Sequence, residues 1–259
     1  MQPAAAQRLA PNDLVRKVVT NEIAVSDQDH THWMYREEAK RPPPSKEKTV
    51  VETRNGELTS LDKIDGRPLT PEQRSAEDQR IRNYVADNDQ QRSARRNSAS
   101  DDKQSAELFA MLPDAFLFKY AGTSGDNVKL TFVPNPDFHA HNAEAFVFHK
   151  MDGYVVLNTK EDRLAEIAGT LTNGVQLLGG LLGHLDPGGT FDVRQEEVAP
   201  GHWKVSRLEV NMTGKVLFFK TINEQQDETH SHFEQVPEGL TLAQAEQMLH
   251  QRSADKAAE

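Results

Sequence analysis

Cysteine is absent from the 259 residues. Its absence removes disulfides, thiol nucleophiles, zinc–thiolate sites and an amino-terminal lipid anchor through sulfur. No apolar run reaches the ~20 residues that a membrane-crossing helix needs. The motifs of hydrolysis and phosphate binding are missing too: no Gly-x-Ser-x-Gly, no His-Glu-x-x-His and no Gly-Lys-Ser/Thr. Positive charge is in deficit, with 30 Lys and Arg against 40 Asp and Glu for a net charge of -10. That balance argues against nucleic acid and against electrostatic docking on anionic lipid. The chain therefore reads as non-enzymatic, with no cofactor.

Apolar residues make up 36% of the chain, but they are clustered rather than diluted, so an ordered fold is expected. Ala4-Ala5-Ala6 has the small-residue character of a signal-peptide cleavage site. The chain reads as a mature exported protein, periplasmic or in the cell envelope, with a cytoplasmic location as the alternative. Asn12 is placed to cap a first helix with the buried stripe Leu14, Val15, Val18, Val19 and Ile23. Alternation starts at HTHWMYRE, which puts Trp33 and Tyr35 on one face and His30, His32 and Met34 on the other. Asn55-Gly56 and Asp65-Gly66 mark tight turns in the strands that follow.

The pattern changes at Thr70-Pro71-Glu72-Gln73, a helix start with proline in the first turn and a glutamine reaching back. A charged helical hairpin is expected between Pro71 and Leu112, inserted in a single domain that covers residues 13–250. Residues 1–12 and 251–259 are expected to be flexible ends. Beyond the hairpin, AFLFKY, VKLTFV, AEAFVFHK, GYVVLN, RLAEIAGTL, TFDVRQEEV, HWKVSRLEVNM, KVLFFKTI and THSHFEQV read as antiparallel strands separated by turns. A short final helix spans Thr241 to His250. The fold class is mainly β: a curved antiparallel sheet, or half-open barrel, closed by helices.

Aromatic residues recur at alternating positions, with Phe116, Phe118 and Tyr120, then Phe132, then Phe146 and Phe148, then Phe218. Such stripes line either an apolar cavity or an ordinary packed core. The stretch VQLLGGLLGHLDPGGTF is spaced for a short helix, with Leu177, Leu181 and Leu185 as one ridge and Leu178 and Leu182 beside it. Plugging the open side of a curved sheet is the simplest use of that ridge.

GYVVLNTKEDRLAEIAGTL resembles the strand–turn–strand of the envelope lipoprotein carriers and sorting proteins (the LolA, LolB and RseB group), and KVLFFKTINEQQDETHSHFEQVPEG is similar to their closing strands. The resemblance covers most of the chain outside Pro71 to Leu112. It implies a half-barrel whose cavity holds a lipid or a lipoprotein acyl chain in a monomer. The residues assigned to that cavity are Trp33, Tyr35, Phe116, Phe118, Phe132, Phe146, Phe148, Leu178, Leu181, Leu182, Leu185 and Phe218. The alternative is an interaction or sensor module of the same fold that docks another envelope protein on its charged hairpin.

Three His-x-His pairs occur, His30/His32, His139/His141 and His230/His232, and Glu228 extends the last. Residues i and i+2 share a face of a strand, so Glu228, His230 and His232 are the candidate metal ligands of a third reading. The aromatic neighbours Trp33, Tyr35 and Phe233 place His30, His32, His230 and His232 on the opposite, wet face, so no metal is expected.

Overall fold

The computed structural model describes residues 8–177, 183–216 and 220–258. Ala4, Ala5, Ala6, Leu178, Leu181, Leu182 and Phe218 lie outside them. Strand exceeds helix, 45% to 34%, and the strands form one antiparallel sheet that is not closed into a barrel among the described residues. The chain divides into two compact units, with Met1–Gln28, Ser105–Lys204 and Val210–Glu224 in the first and Asp29–Gln104, Val205–Glu209 and Gln225–Glu259 in the second.

The first unit begins with α1 (Pro11–Gln28). Its sheet runs through β5 (Phe116–Ser124), β6 (Asn127–Pro134), β7 (Met151–Asn158), β8 (Arg163–Leu171) and β11 (Thr190–Ala199), which pair in the order β5-β6-β7-β8-β11. Strands β12 (His202–Val216) and β13 (Lys220–Val236) contribute residues to both units. Helix α1 buries Leu14, Val15, Val18 and Val19 in a core with Phe116, Phe118, Leu130, Phe132, Val155 and Leu164. Charge fixes its docking: Glu22 accepts from Arg163 Nε at 2.9 Å and from the Leu164 N–H at 2.6 Å.

Asn12 lies inside α1 and does not cap it. Its carboxamide instead pairs with backbone, donating to Pro113 O at the end of the helix before β5 (2.9 Å) and to Phe116 O of β5 (2.7 Å) and accepting from the Phe118 N–H (3.1 Å). The expected strand AEAFVFHK is also corrected, to α4 (Ala143–Phe148). Asn142 caps it by accepting the Ala145 N–H at 2.7 Å, and a short apolar run is helix or strand according to such caps rather than its own periodicity.

The leucine-rich stretch is not a helix at either described end. Its ends are β9 (Val175–Leu177) and β10 (Gly183–Leu185), which pair with each other and then, through β10, with β12. Gly214 permits the close approach: a Cβ there would lie 2.9 Å from the Leu185 Cα. The ladder takes backbone groups that a helix would have paired internally. Of the expected strand KVLFFKTI, Lys215 and Val216 fall in β12 and Lys220 to Ile222 in β13, and the three residues between lie outside the described ones.

The second unit is built on β1 (His32–Arg41), β2 (Lys46–Thr53), β3 (Gly56–Ile64) and the two-residue β4 (Arg67–Pro68), with the end of β13 beside β1. Met34, Val51, Leu58 and Val236 form one face, covered by Ile81 of α2 (Pro71–Ala86) and by Leu242, Ala245 and Leu249 of α5 (Leu242–Ala258). Helix α5 runs past the expected end at His250. The α2 start follows its sequence signature, with Thr70 Oγ1 accepting the Gln73 N–H and Gln73 Oε1 accepting the Thr70 N–H. Helix α3 (Asn88–Ala115) follows after one residue, and its part up to Gln104 belongs to this unit.

Candidate functional site

The Asn55-Gly56 hairpin sets the geometry of the site. Thr53 pairs with Gly56 across a two-residue turn, so alternate residues of β3 direct their N–H and C=O groups away from β2. These are Glu57, Thr59 and Leu61. Beyond β3, β4 pairs with Lys63 and Ile64, and among the described residues no strand neighbours the outer edge at residues 57–61. Helix α2 satisfies part of that edge with side chains. Glu77 accepts the Leu61 N–H at 2.8 Å, and Arg80, paired to Glu77 at 2.7 Å, donates to the Thr59 carbonyl. Burial works against Glu77's charge, but Arg80, the Leu61 N–H and Arg74 outweigh it and hold its carboxyl below the ordinary range.

At the hairpin end, Arg95 of α3 donates to Asn55 O at 3.2 Å. Between these two clamps the outward groups of Glu57 and the N–H of Thr59 face a groove of about 580 Å³. Its walls include Tyr84 from α2 and Arg95, Ser98, Ala99 and Asp102 from α3. That volume falls within the ~300–1,000 Å³ typical of ligand clefts.

Glu57 joins the groove to a cluster of acids around Tyr35. The Glu57 side chain is exposed toward the groove, yet surrounding protein atoms and the charges of Glu52 and Glu37 raise its carboxyl above the ordinary range, Asp102 adding to the effect. Tyr35 is raised in turn, first by burial and then by Glu57, Glu52, Glu37 and Glu228. Lys48 lies 2.6 Å from Glu37.

His230 belongs to this cluster, which corrects its expected place on a wet face. Its ring lies 5.1 Å from that of Tyr35, and Phe233 stacks on Tyr35 at 5.2 Å. The cause is a β-bulge. Met34 pairs with Glu234 but Arg36 with Ser231, so His232 and Phe233 together oppose Tyr35, and His232 takes a positive φ of 57°. The bulge breaks the two-residue alternation between His230 and Phe233, so that both rings reach Tyr35. His230 Nδ1 lies 3.1 Å from Val205 O and Nε2 3.9 Å from Glu228 Oε2, whereas His232 meets Ser231 Oγ. The His230 imidazole, opposed by burial, holds the Glu228 carboxyl below its ordinary range. Among the described residues no three His, Asp or Glu side chains converge as metal ligands would.

The apolar residues named from sequence fall into separate places. Trp33 is buried in the second unit, its Nε1 donating to Thr31 Oγ1 at 3.0 Å, and Tyr35 belongs to that unit too. Phe116, Phe118 and Phe132 are buried together in the first unit, with Phe116 and Phe132 centroids 4.6 Å apart and Phe148 edge-on to Phe116 at 5.4 Å. Phe146 is exposed on α4. Leu185 packs with Met151, Leu171 and Val175 in a small cluster of its own.

Sequence reading assigned no site role to Glu57, Tyr84, Arg95, Ser98, Ala99 or Asp102. A signal was present: Arg95, Ser98, Ala99 and Asp102 follow the i, i+3, i+4, i+7 spacing of one helical face. Because that face is polar and small, a search for apolar periodicity does not register it. No helix among the described residues is long and apolar enough to cross a membrane. No protein-family model matches the chain, and neither a curated protein nor a solved structure does. The likeness to the lipoprotein carriers rests on the quoted residues alone.

Proposed function

We propose that this chain is a non-enzymatic interaction module that docks a partner polypeptide in the groove between β3 and α3. The observation that carries the reading is the edge of β3, clamped by Arg95 at one end and by Glu77 and Arg80 at the other, with strand backbone turned toward the groove between them. The burial of Phe116, Phe118 and Phe132 against α1 favours this reading over a lipid or acyl cargo, because those rings already have protein partners.

Selection from a random peptide display library tests it. Wild-type protein should enrich a consensus, and the Ala99→Trp variant, which fills the groove, should not retain it. A consensus kept equally by Ala99→Trp would place recognition elsewhere. Failure to enrich any peptide, together with lipid co-purifying in native mass spectrometry, would return the acyl-chain reading to first place.

A further inference from the structure

The groove has two chemical features that narrow its occupant. The first is backbone. Glu57 directs an N–H and a C=O outward, and Thr59 an N–H, in the alternation by which an antiparallel neighbour would be bonded. An incoming strand could use these groups without displacing Glu77, Arg80 or Arg95, which occupy only the neighbouring positions Leu61 N, Thr59 O and Asn55 O. Strand addition to an exposed edge beside a helix is an established means of binding peptides.

The second feature is charge. The cations near the groove already have partners: Arg80 pairs with Glu77, and Arg95 donates to Asn55 O. At Glu57 the compensation is incomplete: Lys48 pairs with Glu37 and His230 offsets part of the repulsion, but the acids prevail. Glu57 is crowded by Glu52 and Glu37, with Asp102 contributing from α3, and it shares its sheet face with them across the Glu52–Glu57 pair. A cationic side chain opposite Glu57 would relieve that repulsion.

Resting on the interaction-module reading, we propose that the partner is an extended, lysine- or arginine-bearing peptide that adds to β3 as an antiparallel strand, hydrogen-bonded to Glu57 and Thr59, with a basic side chain set against Glu57 and Asp102. Alternate residues of such a strand point to the same face, so basic residues spaced by two satisfy the acids while those between turn to the other face.

The probe is the blocked peptide acetyl-Thr-Val-Lys-Val-Lys-Val-amide, titrated into the full chain and followed by nuclear magnetic resonance. Binding should shift the Glu57 and Thr59 amides and slow their hydrogen exchange by on the order of tenfold. Methylating one peptide nitrogen at a time should weaken binding roughly tenfold at the one position whose N–H meets the Glu57 carbonyl and little at the others. Replacing both lysines with glutamate should abolish binding to the wild type and restore it in Asp102→Lys. A second variant, Ala99→Trp, should bind neither peptide while keeping its near-ultraviolet aromatic signal.

Binding that is indifferent to the site of methylation and leaves the Thr59 amide unmoved overturns strand addition, while the groove remains a docking site. Equal binding of the lysine and glutamate peptides overturns the charge requirement. No binding of either peptide to a protein that still enriches a display consensus overturns the proposed occupant but not the module. No binding and no consensus overturns both.

Discussion

Tyr35 and His230 lie ring against ring, 5.1 Å apart and tilted by 39°, on strands whose alternation would have separated them. The bulge at His232 lets Phe233 and His230 share that face, and Glu228, two residues from His230 in unbroken register, lies beside the imidazole. The two nearest shifted carboxyls then respond oppositely to pH. Glu228, lowered by His230, contributes stability that is present above the ordinary glutamate value and is lost as pH falls through its folded value. Replacing His230 with Gln should remove that contribution, so urea midpoints should fall at neutral pH and converge with wild type in acid.

Glu57 has the opposite sign. Its folded carboxyl is raised by its crowded surroundings and by Glu52 and Glu37, so the native state binds more protons across the window between the ordinary and raised values. Stability therefore falls as pH rises through that window. Glu57→Gln should be more stable than wild type at neutral pH and equal to it in acid. A neutral-pH midpoint below wild type would show that the carboxylate has a stabilising partner.

Arg163 and Glu22 are both buried, at 6% and 9% exposure, and they pin α1 to β8. Glu22→Ala would leave a guanidinium without its partner in the interior. A loss of about 3–5 kcal/mol is expected from chemical denaturation. Glu22→Gln should cost less, because its amide oxygen can still accept the Leu164 N–H. Equal losses in the two variants would show that the charge, and not the acceptor, holds the helix.

Gly153 and Gly169 face each other across β7 and β8. An added Cβ at Gly169 would lie 2.5 Å from Phe191 Cε1, and one at Gly153 would meet Ala168 O and lie 2.7 Å from Phe132 Cζ. Overpacking of this kind costs about 1–3 kcal/mol. Gly153→Ala should be the more damaging of the two, since its first obstacle is backbone, whereas a ring can tilt. Thermal melting of the two variants gives the order.

The hairpin at Asn55-Gly56, the Thr70–Gln73 capping box, the buried face of α1 and most strands were legible because each depends on residues close in sequence. Three features were not. AEAFVFHK fits either period over its short length, and the deciding cap, Asn142, lies just before it. The ends of VQLLGGLLGHL have leucines at helical spacing, but pairing with Gly214 far along the chain makes β10 a strand. The bulge in β13 has no glycine to announce it, and one extra residue there was enough to reverse the reading of His230. The groove was missed because its helical wall is polar and its strand wall is made of peptide groups, which every sequence has.

Asn12 has a consequence for the molecule in a crowded solution. Strand β5 ends the sheet, and an end strand is a template on which a second chain can grow. A single carboxamide carries the donor and acceptor of one peptide group, and Asn12 uses both on the outer edge of β5, at Phe116 and Phe118. It serves as a strand one residue long that cannot be extended. Asn12→Ala would uncover that edge, so its first symptom should be turbidity that grows with protein concentration.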